Sequence, residues 1–182
     1  MVGLGNPGDR YARTRHNIGF DVAALAAERW GLPKAKKRYA GLFTEGRVDH
    51  VRVGVLLPQT YMNDSGRSVG PARGSLGVDL DHVIVAHDEI DLPFGRIEAR
   101  IGGGLAGHNG LKAVKAGLGS GEFWRVRVGV GRPDTTDPEI VSAHVLGRFS
   151  EPKEDVQALI EAAADKAERL VESPPEPGEP PG

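Results

Sequence analysis

Two histidine–asparagine pairs, Thr14-Arg15-His16-Asn17 and Gly107-His108-Asn109-Gly110, sit in a chain that carries no nucleophile motif. An imidazole can take up and return a proton, and a carboxamide both donates and accepts hydrogen bonds. Such pairs suit water-mediated attack on a polar, amide-rich substrate, that is, hydrolysis without a covalent intermediate. The chain has no cysteine, which removes thiolate nucleophiles, disulfides and Cys-type zinc sites. Neither GxSxG nor HExxH occurs. A single histidine is more often structural than catalytic. A carboxylate on one ring nitrogen changes that balance, because it fixes the tautomer and leaves the other nitrogen to activate water. Asp88, at the end of the apolar run Val83-Ile84-Val85-Ala86, is the best-placed partner for His16, with Glu89 and Asp91 as alternatives.

Three further segments carry polar groups in chemically useful settings. Gly3-Leu4-Gly5-Asn6-Pro7-Gly8 matches GxGxxG, but a dinucleotide fingerprint needs a full strand before its first glycine. Here only two residues precede it, and the glycines instead shape a tight turn that either points Asn6 into a cleft or is purely structural. Asn63, in Tyr61-Met62-Asn63, is placed either to recognise a peptide amide or to cap a local turn. The glycine-dense segment 102–110 precedes a predicted helix and could form an anion nest; it lacks the P-loop pattern. His82 and His87 lie five apart on one predicted strand and hence on opposite faces, which argues against a metal pair. No metal and no cofactor are expected.

The elements that must position these groups alternate between strand and helix. Val2–Leu4 is a strand stub, Ile18–Trp30 a helix, and Tyr39–Arg47 with Val51–Leu57 a hairpin. Thr60–Leu76 reads as a helix whose later half is irregular, given Gly66, Gly70 and Pro71. Val83–Ala86 reads as a buried central strand delivering His87-Asp88-Glu89 at its C-terminal end. Arg96–Ile101 resembles an edge strand, Asn109–Leu118 a helix and Val126–Val130 a strand. Asp155–Val171 is an amphipathic helix with Ser150 as candidate N-cap. This pattern predicts an α/β fold: a three-layer α/β/α single domain with a mixed, mostly parallel central sheet. The domain is expected over 1–172, followed by a disordered Pro/Glu-rich tail over 173–182.

Of the 182 residues, 39% are hydrophobic and 26% charged, ordinary proportions for a globular protein. No apolar run is long enough to span a membrane, and no signal peptide is visible; the expectation is a cytoplasmic protein. The net charge is −2, and the tail accounts for it through Glu176 and Glu179. Between residues 96 and 132 the balance is basic: Arg96, Arg100, Lys112, Lys115, Arg125, Arg127 and Arg132 face only Glu98 and Glu122. A local basic surface is expected there.

The motifs Gly3-Leu-Gly-Asn6-Pro-Gly8, Tyr11-x-x-Thr14-Arg-His16-Asn-x-Gly19, Tyr61-Met-Asn63-x-Ser-Gly66, His87-Asp88-Glu-x-Asp-Leu92 and Gly102-Gly-Gly-x-x-Gly-His108-Asn109-Gly-Leu-Lys112 occur in this order. With Phe123-x-Arg-Val-Arg127-Val-Gly-Val-Gly131 they cover nearly the whole body, and together they resemble the bacterial peptidyl-tRNA hydrolase family. The resemblance implies hydrolysis of the ester joining a peptide to the 3′-terminal ribose of tRNA. It gives His16 as general base oriented by Asp88, with Asn6 and Asn109 among the catalytic groups. Tyr11, Met62, Asn63 and Asn109 would line the substrate cleft. Arg100, His108, Lys112 and Arg127 would contact tRNA, with Arg100 and Arg127 on its 5′-phosphate. The implied partner is peptidyl-tRNA, with no membrane association, and the implied state is a monomer. A non-catalytic RNA-binding homologue of the same fold, of the kind represented by plant organellar splicing factors, is the alternative. An NAD-dependent oxidoreductase rests on the glycine turn alone. Within the glycine loop, Leu105-Ala106 departs from the family pattern towards a stiffer segment.

Overall fold

The computed structural model describes residues 1–175; beyond residue 175 the expected tail lies outside the described residues. Its centre is strand β5 (Ile84–Glu89), in which every residue is buried. A near-continuous apolar run is what a parallel strand covered on both faces requires. β5 lies between β1 (Val2–Gly3) and β7 (Trp124–Gly129), parallel to both. Beyond β1 come β4 (Val51–Pro58), β3 (Gly41–Val48) and β2 (Lys36–Arg38); β6 (Ile97–Ile101) closes the other edge. β4, β1, β5 and β7 are mutually parallel, while β3 runs antiparallel to both β4 and β2, and β6 to β7. The expected mixed sheet is therefore present.

Helices cover both faces. α1 (Ile18–Arg29) and α5 (Lys153–Glu172) bury Ile18, Val22, Leu159, Ala163 and Ala167 against Ala86, Val126 and Val128. On the other face α2 (Gly66–Leu76) and α3 (Asn109–Leu118) pack Val69, Leu111 and Val114 against Val2, Val85 and Phe123. Each such buried Val, Leu, Ile or Phe side chain contributes roughly 1.5–3 kcal/mol, and each alanine less. Successive residues of β5 serve opposite layers, so Ala86 faces one core and Val85 the other.

Glycines set how closely these layers approach. A Cβ on Gly3 would collide with the Gly19 carbonyl, and one on Gly19 with the carbonyl of Ala86. α1 thus rests directly on the sheet near the C-terminal ends of β1 and β5. The same device operates between α2 and α3, where a Cβ on Gly66 would strike Ala113 O and one on Gly70 would lie 2.8 Å from Gly117 O. This corrects the expected irregularity after Thr60. The irregular part comes first, as a 3-10 turn at Met62–Asp64, and α2 then runs unbroken to Leu76, its Gly66 and Gly70 used for close packing on α3 and Pro71 accommodated on its exposed face.

Other departures have local causes. β2 consists of three exposed basic residues and so lacks the apolar alternation that marks a strand. A further helix, α4 (Pro138–Leu146), begins with Asp137 accepting from Glu139 N, followed by Pro138 at the first turn, a start signal the sequence carries. α5 begins at Lys153 with Pro152 as its cap, not Ser150, whose Oγ instead accepts from Arg15 Nη2 at 3.4 Å. His82 lies in a 3-10 turn before β5 beside Asp81 and so never shares a strand with His87. Gly19→Ala should lower stability by about 1–3 kcal/mol, the usual cost of overpacking. A thermal melt would show this as a fall of roughly 2–4 °C per kcal/mol, with an unchanged melting temperature refuting the close-contact argument.

Candidate active site

The C-terminal ends of β1 and β5 open into a cleft of about 830 Å³. Such crevices outside the carboxyl ends of parallel strands are where open α/β sheets bind ligands. The β1–α1 loop supplies Asn6 and His16, the turn before α2 supplies Met62 and Asn63, and β5 supplies Asp88. The start of α3 brings His108 and Asn109, and α4 forms the facing wall with Val141, Val145 and Leu146. Another cavity, about 410 Å³, lies at the opposite end of the strands and is lined chiefly by apolar residues such as Phe43, Val69 and Leu76. The polar groups converge on the first.

Asp88 is the hub. His16 Nδ1 lies 2.9 and 3.0 Å from its two oxygens, and His108 Nε2 lies 2.7 Å from Oδ1. Glu89 and Asp91, the alternative partners, face Arg127 and Arg132 instead. The tautomer of His108 is set from its other side. Its Nδ1 accepts the backbone N–H groups of Gly110 and Leu111 at 3.1 and 3.2 Å, capping α3. The hydrogen therefore sits on Nε2 and is donated to Asp88. His16 likewise donates from Nδ1, which leaves its Nε2 without a hydrogen-bond partner among the described residues and unburied at the cleft. Burial alone would raise the Asp88 pKa, but the two imidazoles reverse this and hold it well below the usual carboxylate range. For His16, burial opposes the charged ring, yet the charge and hydrogen bond of Asp88 outweigh it and raise the pKa above 6.5.

The His16–Asp88–His108 cluster brings three possible metal ligands together. Ligation by His108 Nε2 would require that nitrogen to lose its hydrogen while Nδ1 still faces two N–H donors. The donor set fits a hydrogen-bonded proton relay better than a metal centre. His87, beside it, is fully buried and donates from Nδ1 to Asp88 O at 2.8 Å. Desolvation pushes its pKa down to about 3, with the neighbouring His108 adding to the effect, so it is a neutral packing group edge-on to the His108 ring.

Asn6 is equally constrained. Its Oδ1 accepts Met62 N at 2.8 Å, so the amide N–H₂ is the end left for the cleft. Asn17 clamps the Asn6 backbone: its Oδ1 accepts from Asn6 N at 2.8 Å and its Nδ2 donates to Asn6 O at 2.9 Å. The second half of the His16-Asn17 pair is thus an internal clamp, which sequence reading left without a role. A Cβ on Gly110 would collide with Met62 Sδ, so the invading helix N-terminus needs glycine there. Asn63 and Asn109 are exposed on the cleft rim.

Other expected residues lie elsewhere. Tyr11 does not line the cleft; it sits beside Arg10 in the β1–α1 loop. The expected basic surface is largely internal or paired. Arg127 bridges Glu89 and Glu98 at 3.2 and 2.7 Å, Arg96 meets Glu98, and Arg132 meets Asp91. Arg125 is buried and binds Gly104 O and Gly121 O at 2.7 and 3.1 Å, bracing the glycine loop from beneath. Burial, with Arg100 nearby, lowers its pKa. Arg100, Lys112 and Lys115 have no ion-pair partner among the described residues. Leu105 packs on the α2–α3 core and Ala106 adopts φ +50°, so this part of the loop is anchored. The α4 wall was not anticipated, although Asp137-Pro138 marked its start. It is tied to the base-bearing loop by buried Arg15, whose Nη1 donates to His144 O at 3.0 Å near the helix C-terminus, a favourable place for a cation.

A three-layer α/β domain whose strand ends present a carboxylate-oriented imidazole and fixed carboxamides has the site of a hydrolase. The peptidyl-tRNA hydrolase family model matches residues 1–176, and the chain belongs to that family. It is 50% identical to a peptidyl-tRNA hydrolase of Mycobacterium avium over 98% of this chain and 94% of the relative. It is 47% identical to one from Syntrophotalea carbinolica over 94% and 90%. The crystal structure of peptidyl-tRNA hydrolase from Acinetobacter baumannii superposes with a TM-score of 0.83 at 39% identity, covering 94% of this chain and 87% of that one.

The raised pKa has a measurable sign. The fold favours the His16 imidazolium, so this group contributes stability below about pH 6.5 that is lost as pH rises through its higher folded-state value. NMR titration of the His16 ring should give a midpoint above 6.5, and Asp88→Asn should bring it below 6.5 because burial then acts alone. A midpoint indifferent to Asp88→Asn would show that the carboxylate does not control the base.

Proposed function

We propose that this protein hydrolyses the ester between the peptide carbonyl and the tRNA 3′-terminal ribose, with His16 as general base oriented by Asp88. The observation that carries this reading is the doubly donated Asp88 carboxylate, which leaves His16 Nε2 as the accessible basic nitrogen. Nε2 takes a proton from water, and the resulting hydroxide attacks the ester carbon. The tetrahedral oxyanion collapses, and the ribose oxygen leaves with the proton returned from Nε2. Peptide carboxylate and intact tRNA result. A base placed in this way typically contributes about 10²–10⁴-fold.

Asn6 is the better preorganised oxyanion donor, since its amide orientation is fixed by Met62 N and its backbone by Asn17. Asn109 and Asn63, on the rim, are then placed to bind the first peptide amide. A free aminoacyl group offers a charged amine where that amide would be, which accounts for selection of peptidyl over aminoacyl esters. His108 is a positioning residue that fixes Asp88 and ties it to α3. Arg100 and Lys112 supply contacts to the tRNA backbone. Arg127 holds Glu89 and Glu98 in place beside them, and a 5′-phosphate would have to compete with those carboxylates for its guanidinium.

Purified protein should release acetyl-phenylalanine from acetyl-Phe-tRNA and leave Phe-tRNA intact, and His16→Ala should lose about 10²–10⁴-fold of kcat. Binding of tRNA without cleavage would instead support the RNA-binding alternative. Asn6→Asp keeps an acceptor for Met62 N but turns the cleft-facing donor into an acceptor, so kcat should fall by roughly 10²–10³-fold; equal loss from Asn109→Asp alone would move the oxyanion role there. His108→Asn preserves an N-cap but cannot supply the same imidazole donor, whereas His108→Ala also loses the cap, worth about 1 kcal/mol. The first should therefore cut activity, lower the melting temperature less than His108→Ala does because the cap is kept, and move the acidic limb of the pH profile upward, because Asp88 is left to His16 alone.

A further inference from the structure

The catalytic cleft continues past Tyr61. Tyr61 and Asp64 also line a second depression of about 810 Å³, and the adjacent residues Asn6 and Pro7 line one and the other. The two form one path. Lys37 and Arg38 of β2 and Arg67 of α2 line the outer part, with Asp64 the acidic residue lining it. These cations are loosely held: Arg67 approaches Asp64 only to 3.9 Å, and Arg38 approaches Glu45 only to 4.0 Å. Lys37 has no ion-pair partner among the described residues. Tyr61, 61% exposed, stands at the junction.

The hairpin that presents Arg38 is itself constrained. Arg38 pairs with Gly41 across a two-residue turn, and both turn residues, Tyr39 and Ala40, have positive φ, at 55° and 51°. That turn type is normally built from asparagine and glycine, and non-glycine residues held there store strain, which clusters at functional sites. Tyr39 is pinned by its hydroxyl on Ser75 at 3.0 Å and by its ring against Phe43, and Arg38 lies over the Tyr39 ring at 4.5 Å. Lysines on an edge strand also guard against strand addition, but that does not explain why Arg67 of a helix faces the same groove, or why the groove joins the cleft.

Sheet order decides which part of the substrate runs this way. β2 and β6 are the two edges, with β1 and β5 between them. An ester held at the ends of β1 and β5 has its RNA arm towards Arg100 on the β6 side, under the hydrolase reading given above. The other arm is the peptide, and its open course is over Tyr61. We propose that the groove lined by Lys37, Arg38 and Arg67 is the subsite for the upstream part of the peptide, and that it favours acidic side chains there.

The test compares acetyl-Phe-tRNA, acetyl-Asp-Asp-Phe-tRNA and acetyl-Lys-Lys-Phe-tRNA, all on the same tRNA. The native protein should show a KM about three- to tenfold lower for the Asp peptide than for the Lys peptide, the range expected of a few exposed charge contacts. Lys37→Glu/Arg67→Glu should reverse that order. Equal KM for the two peptides in the native protein overturns the proposal whether or not the variant folds. An equal rise in KM for all three substrates, matched by weaker inhibition by deacylated tRNA, would mean that the groove carries RNA and would also overturn it. Failure to turn over acetyl-Phe-tRNA would remove the hydrolase reading, and the subsite with it.

Discussion

A buried carboxylate shared by two imidazoles governs this structure. Asp88 is only 2% exposed, and an ionised group so placed is costly unless fully hydrogen-bonded. Both partners must therefore present N–H, and that requirement propagates outward. His108 can offer Nε2–H because the free N–H groups at the start of α3 occupy its Nδ1, so a helix terminus left with unsatisfied donors becomes part of the hydrogen-bonded His16–Asp88–His108 cluster. His16 must offer Nδ1–H, which leaves Nε2 for water. One constraint fixes two tautomers, the position of α3 and the direction of the base.

The close backbone contacts serve the same end. Asp88 lies one residue from the end of β5, a strand whose position is set by α1 pressing on the sheet through Gly3 and Gly19, and α1 begins directly after His16-Asn17. Gly110 lets α3 come in over Met62, whose backbone N–H in turn orients the Asn6 amide. The site is built on backbone positions, with few freely rotating side chains between the scaffold and the reacting groups. Preorganisation of this kind lets modest donors stabilise developing charge, since little reorganisation remains to be done during reaction.

Much of this was legible in the sequence, for reasons that differ by residue. The β5 run and the α3 boundaries were readable because burial on both faces and a capped amphipathic helix leave plain local patterns. The pairing of His16 with Asp88 was proposed from strand-end position, and the structure selects it over Glu89 and Asp91. β2 was missed because an exposed edge strand of basic residues has no apolar alternation, and α4 because its weak amphipathicity hid a clear cap. The glycines of α2 suggested irregularity because local propensity penalises them, whereas close packing on α3 requires them. Asn17 as a clamp on Asn6 depends on two loops meeting, which no spacing within one segment reveals.

Charge was the least legible property, and the reason is instructive for how the protein meets RNA. A segment counted as basic in one dimension turns out to spend most of its cations internally. Arg125 holds backbone carbonyls of the glycine loop, Arg127 ties Glu89 to Glu98, and Arg15 outside the segment fastens α4. Under the proposed function, the cations left for phosphates are a small set led by Arg100 and Lys112, which have no ion-pair partner among the described residues. Few phosphate contacts mean a modest, salt-sensitive attraction, suited to an enzyme that must release every tRNA it cleaves. On that proposal, selectivity has to come from the ester and its peptide, read by the carboxamides around Asn6, rather than from strength of RNA binding.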